Sequence, residues 1–227
     1  MLLSIIIPVY NEELTIGNII DRAQRAARQI GVPFEIIVVD DRSYDTSLKV
    51  AGQRDVRLFS LKQHLGKGYA LRAGFLKARG DIIVTIDSDG SHWPEELREV
   101  LAPILGGEAD LVIGSRYMNH KRVAARKLNR FGVQIFNFLI ELLTGTGITD
   151  SQSGYRAMKR EVLVKQKLKS GEYEIESEML VKTAKSGFRV TEVPITFEQR
   201  TYGRSGVDPV VDGAKILLSI VVAYLKG

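Results

Sequence analysis

Two carboxylates stand two residues apart at the end of a short β-branched run. Residues 85–91 read TIDSDGS, in which Ser88 separates Asp87 from Asp89. Side chains alternate along an extended chain, so both aspartates are expected on the same side. Their hard oxygens suit Mg²⁺ or Mn²⁺, which keep some waters and take further ligands from phosphates. Such a D-x-D also occurs by chance, and its aspartates then cap helices or carry solvated charge.

Polar residues also follow other apolar runs of the chain. They are Tyr10, Asn11 and Glu12 after the first run, Asp40 and Asp41 after the second, and Ser115 and Arg116 after the fifth. Ligands of open α/β sheets bind beyond the carboxyl ends of the strands, so these residues should share one crevice. Neighbouring carboxylates raise one another's pKa, and such a cluster often binds a cation. The sequence therefore predicts a metal ion that in turn holds a diphosphate.

The elements that position these residues follow an alternating pattern. Short apolar runs at 2–8, 34–39, 56–60, 81–86 and 111–114 are the predicted strands. Helical periodicity covers 14–30 and 69–78, and a third helix should begin near Pro94, where a proline and two glutamates suit a first turn. This alternation predicts an α/β fold with a largely parallel sheet.

Composition limits the class of protein. The 227 residues are 44% hydrophobic, enough for one well-buried domain. Cysteine is absent, which excludes disulfides and thiolate metal sites and suits a reducing compartment. The start, LLSIIIPV, lacks the basic leader of a secretory signal and is predicted to be a strand. A net charge of +5 favours anionic partners.

Six segments in order resemble the motif set of inverting family 2 glycosyltransferases. They are IIIPVYNEE (5–13), VVDDRSYDT (38–46), GKGYALRAGFLKARGD (66–81), IDSDGSHWPE (86–95), GSRY (114–117) and DSQSGYRAMKREV (150–162). Within that family they resemble dolichyl-phosphate mannose synthases and related polyprenyl-phosphate sugar transferases. The resemblance implies a Rossmann-like glycosyltransferase A fold, a mostly parallel central sheet flanked by helices. It implies one catalytic domain, 1–227, with a nucleotide-sugar and metal half (1–117) and an acceptor half (118–227).

The resemblance also assigns roles to individual positions. The implied donor-binding residues are Pro8, Tyr10, Glu12, Val39, Asp40, Asp41, Lys67, Asp87, Ser88, Asp89 and Arg200. Asp87 and Asp89 are the implied ligands of Mg²⁺ or Mn²⁺, although Ser91 stands where relatives have a glutamine ligand. Lys67 either meets phosphate at a helix start or is solvated in an entry turn. His64, where relatives carry Asn, is interpreted as a hydrogen-bonded loop residue.

A basic stretch, RYMNHKRVAARKLNR (116–130), is the implied acceptor site. Arg116, Arg126, Lys127 and Arg130, together with Ser153, are expected to hold a lipid-linked phosphate, for which arginine offers bidentate contacts. The alternative interpretation is a solvated basic face.

The next segment, FGVQIFNFLIELLTG (131–145), is apolar on most faces and too short to span a membrane. Phe131, Ile135, Phe138, Leu139 and Leu142 are the expected core stripe. The surplus residues are Val133, Phe136, Ile140 and Leu143. This surplus indicates a helix on a membrane interface, or burial against a neighbouring helix or subunit.

The implied catalytic residues are Asp89, Asp150, Arg116 and Arg200. Asp150 would be a general base toward a neutral hydroxyl, but a phosphate acceptor arrives ionised and needs no strong base. Asp150 would then orient Arg156, the acceptor or the metal-bound donor. The structural alternative is a helix-terminal cap or a salt bridge. Arg200 begins a segment resembling R-x-x-G-x-S-K, a loop expected to close over the diphosphate, although Gly206 replaces the lysine.

The hypothesis is metal-dependent, inverting transfer of mannose or glucose from GDP-mannose or UDP-glucose to a polyprenyl or dolichyl phosphate. We expect peripheral attachment to the cytoplasmic face of a membrane. The alternatives are a family 2 enzyme acting on a carbohydrate hydroxyl with Asp150 as base, and a noncatalytic nucleotide-sugar-binding partner of a membrane enzyme. A sugar nucleotidyltransferase would need a basic loop where PVYNEE is acidic, and no nucleic-acid partner is expected because the basic stretch lacks interleaved aromatics.

Overall fold

The computed structural model describes residues 1–118, 127–200, 202 and 208–226, without the side chains of 127–130. In these ranges one sheet contains the strands β1 (Leu3–Val9), β2 (Phe34–Asp40), β3 (Arg57–Ser60), β4 (Ile82–Thr85), β5 (Leu111–Ser115), β6 (Arg156–Lys159) and β7 (Val190–Pro194). The helices are α1 (Ile16–Ile30), α2 (Ser47–Gly52), α3 (Lys67–Lys77), α4 (Leu97–Leu105), α5 (Lys127–Thr144), α6 (Arg160–Lys165), α7 (Ile175–Lys185) and α8 (Val211–Lys226). A 3₁₀ turn, Pro94–Glu96, leads into α4.

The strand order is β3-β2-β1-β4-β6-β5-β7. β1 pairs in parallel with β2 and β4, β2 with β3, and β5 with β7. β6 runs antiparallel between β4 and β5. The predicted α/β fold with a mostly parallel, helix-flanked sheet is confirmed, and the five predicted strands lie within a residue or so of their expected positions. β6 and β7 are additions that the sequence pattern did not predict.

The sheet separates two hydrophobic cores. Every residue of β1 is buried, as expected of a parallel strand covered on both faces. Ile5 and Ile7 pack on one side with α1 and α4, whereas Ile6 packs on the other with α3, α7 and α8. Full burial of one such side chain is worth about 1.5–3 kcal/mol, so the strand is well anchored and its carboxyl end is fixed in place.

Helix α5 turns a different face inward than the sequence suggested. Its buried apolar residues are Val133, Phe136 and Ile140, whereas Phe131, Ile135, Phe138 and Leu142 are exposed. The expectation that the latter four line the core was therefore wrong. Phe136 and Ile140 join the same core as Ile216, Ile220 and Ala223 of α8, which covers this side of α5.

The antiparallel course of β6 decides what surrounds the carboxyl ends of its neighbours. Arg156, the first residue of β6, lies opposite Thr85 at the end of β4 and opposite Ile113 of β5. The loop before β6, residues 150–155, therefore reaches the same sheet edge as the segments that follow β1, β2, β4 and β5. One crevice thus receives residues from both halves of the chain.

Candidate functional site

The two aspartates of the D-x-D motif follow β4 at the crevice. The carboxylate of Asp87 lies 2.6 Å from the ammonium of Lys67, measured from Oδ1 to Nζ. Burial alone would raise the pKa of Asp87, but the charge of Lys67 outweighs this and holds that pKa below its usual value. Asp89 accepts hydrogen bonds from both the backbone N–H and the hydroxyl of Ser91, at 3.0 and 2.6 Å. Ser91 therefore orients Asp89 in this structure.

Lys67, the first residue of α3, is largely buried between two carboxylates. Its Nζ lies 2.6 Å from Asp87 and 2.8 Å from Oε1 of Glu176 in the first turn of α7. Burial would lower the pKa of Lys67, but these two charges raise it instead. The ammonium is thus charged and fixed at the centre of the crevice, which the solvated alternative for Lys67 did not anticipate.

Sequence reasoning missed two groups at this site. Glu176 lies in EYEIESEML, where acidic residues suggest a solvated first helical turn, yet it is only 4% exposed. His92 is 1% exposed, and neither ring nitrogen has a hydrogen-bond partner among the described residues. Its Nδ1 lies 3.7 Å from Oδ2 of Asp87. Burial lowers the pKa of His92 against the opposing effect of Asp87, so the ring is neutral at pH 7.

Gly154 packs closely against the carboxylate of Asp87. A Cβ atom on Gly154 would lie 2.4 Å from Oδ2 of Asp87, well inside any tolerable contact. Ser153, an expected acceptor-binding residue, precedes it and is fully buried, and its hydroxyl accepts a hydrogen bond from the N–H of Tyr155. The loop before β6 therefore packs directly against the first aspartate of the D-x-D.

Asp150 and Arg116 form a buried bidentate ion pair. Nε and Nη2 of Arg116 each donate to Asp150 at 2.7 Å, and the Arg116 backbone N–H donates at 2.9 Å. Burial alone would lower the pKa of Arg116, but the Asp150 charge raises it above its ordinary value. Asp150 has no exposed surface, and both of its carboxylate oxygens accept hydrogen bonds from Arg116.

The Asp150 loop is held from two further sides. Asn137 of α5 donates to the carbonyl of Thr149 and accepts from the N–H of Ser151, at 2.7 and 3.0 Å. Glu192 of β7 accepts the N–H groups of Thr149 and Asp150, at 2.7 and 2.9 Å. The position of Asp150 is therefore determined by three separate elements.

The expected donor-binding residues Tyr10, Asp40 and Asp41 lie together after β1 and β2. The Tyr10 ring stacks on His64 with centroids 3.9 Å apart and planes 14° apart. Asp40 accepts hydrogen bonds from the N–H of Ser43 and the hydroxyl of Ser60. Asp41 accepts from the N–H groups of residues 65 and 66 and lies 2.8 Å from Nδ1 of His64. His64 is thus a hydrogen-bonded loop residue that also covers Tyr10.

The remaining expected residues differ in how far the structure describes them. Arg200 forms an ion pair with Glu12, which brings the segment after β7 to the carboxyl end of β1. Pro8, Val39 and Ser88 are buried, and the Val39 side chain packs in the core. Arg126 lies outside the described residues, and for Lys127 and Arg130 only the backbone is described. The position of the acceptor cluster therefore stays a prediction.

Residues 4–166 match the sequence family described as Glycosyl transferase family 2. The match covers well over half of the chain. The chain belongs to this family. The predicted family membership and the assignment as a glycosyltransferase enzyme are therefore confirmed.

Relatives of this family 2 glycosyltransferase include proteins named as sugar transferases or synthases of lipid phosphates. It is 31% identical, over 97% of its length and 95% of the relative's, to UDP-N-acetylglucosamine–dolichyl-phosphate N-acetylglucosaminyltransferase of Methanococcus voltae. It is 36% identical to polyprenol monophosphomannose synthase of Mycolicibacterium smegmatis, over 88% of this chain and 79% of the relative. Among solved structures, glucosyl-3-phosphoglycerate synthase of Mycobacterium tuberculosis, crystallised with Mn²⁺, UDP and phosphoglyceric acid, matches with a TM-score of 0.79. At 23% identity, over 98% of this chain and 78% of that one, that likeness concerns the fold.

The residues present fit a divalent metal that takes part of its coordination from a ligand. No cluster of three His, Asp or Glu side chains arranged for a metal occurs among the described residues, so Asp87 and Asp89 would supply only two ligands. Near the D-x-D, the described carboxylates Asp87, Asp89, Asp150 and Glu176 outnumber the cations Lys67 and Arg116. A divalent cation would reduce this local excess of negative charge.

Proposed function

We propose that this glycosyltransferase transfers a hexose, mannose or glucose, from a nucleoside diphosphate sugar to a polyprenyl phosphate, with inversion and with Mg²⁺ or Mn²⁺. The observation that carries the choice of acceptor is the buried Arg116–Asp150 pair. A hydroxyl acceptor needs a base that removes its proton, and Asp150 is fully engaged by Arg116. A phosphate acceptor is already ionised and needs no base. The names of the two sequence relatives support the same acceptor class.

The proposed reaction assigns a role to each charged group. An oxygen of the acceptor phosphate attacks the anomeric carbon from the face opposite the diphosphate, whose bond to the sugar breaks as the nucleoside diphosphate leaves with the electron pair. Asp87 and Asp89 would hold the metal, which supplies Lewis-acid stabilisation of the leaving group. Lys67 and Arg200 neutralise the diphosphate, and Arg116 faces the incoming phosphate.

The first test is transfer of labelled sugar to dolichyl phosphate in detergent. We expect label in the lipid phase from GDP-mannose or from UDP-glucose, in the presence of Mg²⁺ or Mn²⁺, whereas label from UDP-N-acetylglucosamine alone would keep the acceptor and contradict the proposed sugar. Asp89→Ala should lower that rate about a hundredfold or more, because the leaving diphosphate loses its electrostatic stabilisation. Asp55→Ala, which removes an exposed carboxylate before β3, is the matched control and should transfer normally.

Two outcomes would contradict the proposal. Absence of lipid-linked label with every donor, in a protein that binds and hydrolyses one of them, would argue for another acceptor. Equal rates for wild type and Asp89→Ala would argue against the metal role of the D-x-D.

We also propose that α5 and α8 rest on a membrane surface. Phe131, Ile135, Phe138 and Leu142 form one exposed stripe of α5, and Leu218 and Leu225 are exposed on α8, which packs against it. None of the helices in the described ranges has the length and apolarity needed to cross a bilayer. Exposed apolar stripes beside a basic segment suit an interfacial helix, which would bring the crevice to the lipid acceptor.

Vesicle binding tests this surface. Phe138→Asp should weaken binding to anionic-lipid vesicles about tenfold, because a buried phenyl ring contributes roughly 1.5–3 kcal/mol. The comparison is Leu76→Asp on α3, since Leu76 is equally apolar and 86% exposed but lies on another helix. Co-sedimentation measures both variants. If the two variants lose vesicle binding equally, or if neither loses it, the assignment of α5 as the membrane-facing element is contradicted.

A further inference from the structure

The Lys67 ammonium bridges two carboxylates that come from separate elements. One is Asp87, at the end of β4, and the other is Glu176, at the start of α7. Both contacts are shorter than 3 Å, and all three side chains are at least three-quarters buried. Attraction between charges is strong in such a site, and the ammonium contacts both carboxylates at once, so losing one partner would leave it paired with the other.

Asp87 has a cation partner within the chain itself. Oδ1 of Asp87 contacts Lys67, while Asp89 is held by Ser91 and has no cation partner among the described residues. A divalent metal at the D-x-D would meet the Lys67 charge at contact distance from the same carboxylate. The two cations repel each other, so the metal and the ammonium compete for Asp87.

We propose that Lys67 is an exchangeable counter-ion of the D-x-D: the metal displaces it from Asp87, and Glu176 keeps the displaced ammonium inside the crevice. This inference rests on the proposed function, because it assigns the metal to the D-x-D. Glu176 is then a positioning residue. It prevents Lys67 from repelling the metal and leaves the ammonium next to the position of the diphosphate.

Glu176 can hold the displaced ammonium by itself. Its Oε1 contacts Lys67, and its Oε2 is buried without a hydrogen-bond partner among the described residues, so this oxygen has unused acceptor capacity. Its backbone carbonyl accepts a hydrogen bond from the buried Arg156 at 2.7 Å, which fixes this turn of α7. The carboxylate therefore stays in place when Asp87 changes partner.

Glu178 provides a matched comparison on the same helix. It is as buried as Glu176, but it pairs with Lys182 at 2.6 Å and accepts the backbone N–H groups of Lys169 and Ser170. Glu178 thus holds the backbone of residues 169 and 170, and no contact with Lys67 occurs among its described partners. Replacing each glutamate by glutamine separates a general cost of altering α7 from the specific role of Glu176.

The test measures binding of Mn²⁺ alone, by electron paramagnetic resonance of free Mn²⁺ at constant pH and ionic strength. Lys67→Gln should tighten Mn²⁺ binding about tenfold, because the competing cation is gone. Glu176→Gln should weaken it about tenfold, because Lys67 is left with Asp87 alone. Glu178→Gln should leave the Mn²⁺ dissociation constant unchanged while lowering the melting temperature.

The double variant Lys67→Gln/Glu176→Gln tests whether Glu176 affects Mn²⁺ binding through Lys67 or directly through its own negative charge. If Glu176 acts through Lys67, its substitution should matter little once Lys67 is gone, so the two effects are not additive. Additive effects, or weaker Mn²⁺ binding in Lys67→Gln, would overturn the proposal. If Lys67→Gln does not fold, Lys67→Arg keeps the charge and should bind Mn²⁺ as wild type does, whereas tighter binding would contradict competition.

Kinetics supply an independent readout. Glu176→Gln should raise the metal concentration needed for half-maximal sugar transfer more than it lowers kcat at saturating metal, and Glu176→Asp should restore part of the loss. A lower kcat with an unchanged metal requirement would overturn the proposal. Because Mn²⁺ binding is measured without donor or acceptor, absence of lipid product in the transfer assay would count against the proposed function alone.

Discussion

Substituting Gly154 by alanine should lower turnover about a hundredfold while the fold is retained. The new Cβ would lie 2.4 Å from Oδ2 of Asp87, so that carboxylate must move by a substantial part of an ångström. Displacements near 1 Å in a catalytic site cost about a hundredfold in rate. The measurement is kcat for sugar transfer together with the Mn²⁺ dissociation constant, which should rise in parallel.

A second glycine provides the control for Gly154. A Cβ on Gly52, at the end of α2, would meet the Leu58 side chain at 3.5 Å, an ordinary contact. Gly52→Ala should therefore leave kcat unchanged. Unaltered turnover in Gly154→Ala would show that the loop before β6 yields easily and does not determine the position of Asp87.

Substituting Arg156 by methionine should cost about 3 kcal/mol of unfolding free energy. The guanidinium is buried and donates to the backbone carbonyls of Ser151, Ser153 and Glu176, at 2.6, 2.8 and 2.7 Å. Methionine fills much of the volume but leaves three buried carbonyls without donors, each at a cost of about 1–3 kcal/mol, partly offset by removal of a buried charge. For a chain of this size the melting temperature should fall by roughly 6–12 °C.

Calorimetry measures the Arg156→Met effect, and Arg25→Met is its comparison. Arg25 is exposed on α1, so its substitution should change the melting temperature by no more than a degree or two, within the usual roughly 0.5 kcal/mol range for surface positions. A similar small change in Arg156→Met would mean that water replaces the lost donors. The segment from 149 to 151 would then be held mainly by Asn137 and Glu192.

The parts of the fold that could be predicted are those governed by local patterns. Buried parallel strands are continuous apolar runs, and IIIPV, IIVV and LVIGS are of this kind. β6 escaped prediction because RAMK is short and charged at both ends, and its burial depends on pairing with β4 and β5. Such a strand is defined by tertiary contacts and leaves no periodic signal in the sequence.

The prediction of which face of α5 is buried was wrong for a related reason. Both stripes of this helix are apolar, so composition alone cannot choose between them. The structure places Asn137 on the buried side, where its amide binds the loop around Asp150, and that polar contact fixes the rotation of the helix. An asparagine inside an apolar helix was therefore more informative than the apolar residues around it.

At the site, the sequence predicted the position of residues that follow directly after a strand, since strand ends converge by a general rule. Asp87, Asp41 and Arg116 are of this kind. Glu176 was missed because nothing nearby in the sequence marks it as buried, and its partner Lys67 is more than a hundred residues away along the chain. His92 lies only five residues after its neighbour Asp87, but its burial depends on tertiary packing that the local sequence does not show. The assigned roles of these residues stay predictions until the variants above are measured.

The position of β6 also limits how the chain can be divided. A fragment ending near residue 117 would contain β5 but not the strand that joins β5 to β4, so β5 would have no partner in the sheet. The complementary fragment would contain β6 and β7 without either strand between which β6 lies. Neither piece is expected to fold alone, but the two supplied together should reassemble by strand insertion, a basis for a split enzyme whose activity reports association of its halves.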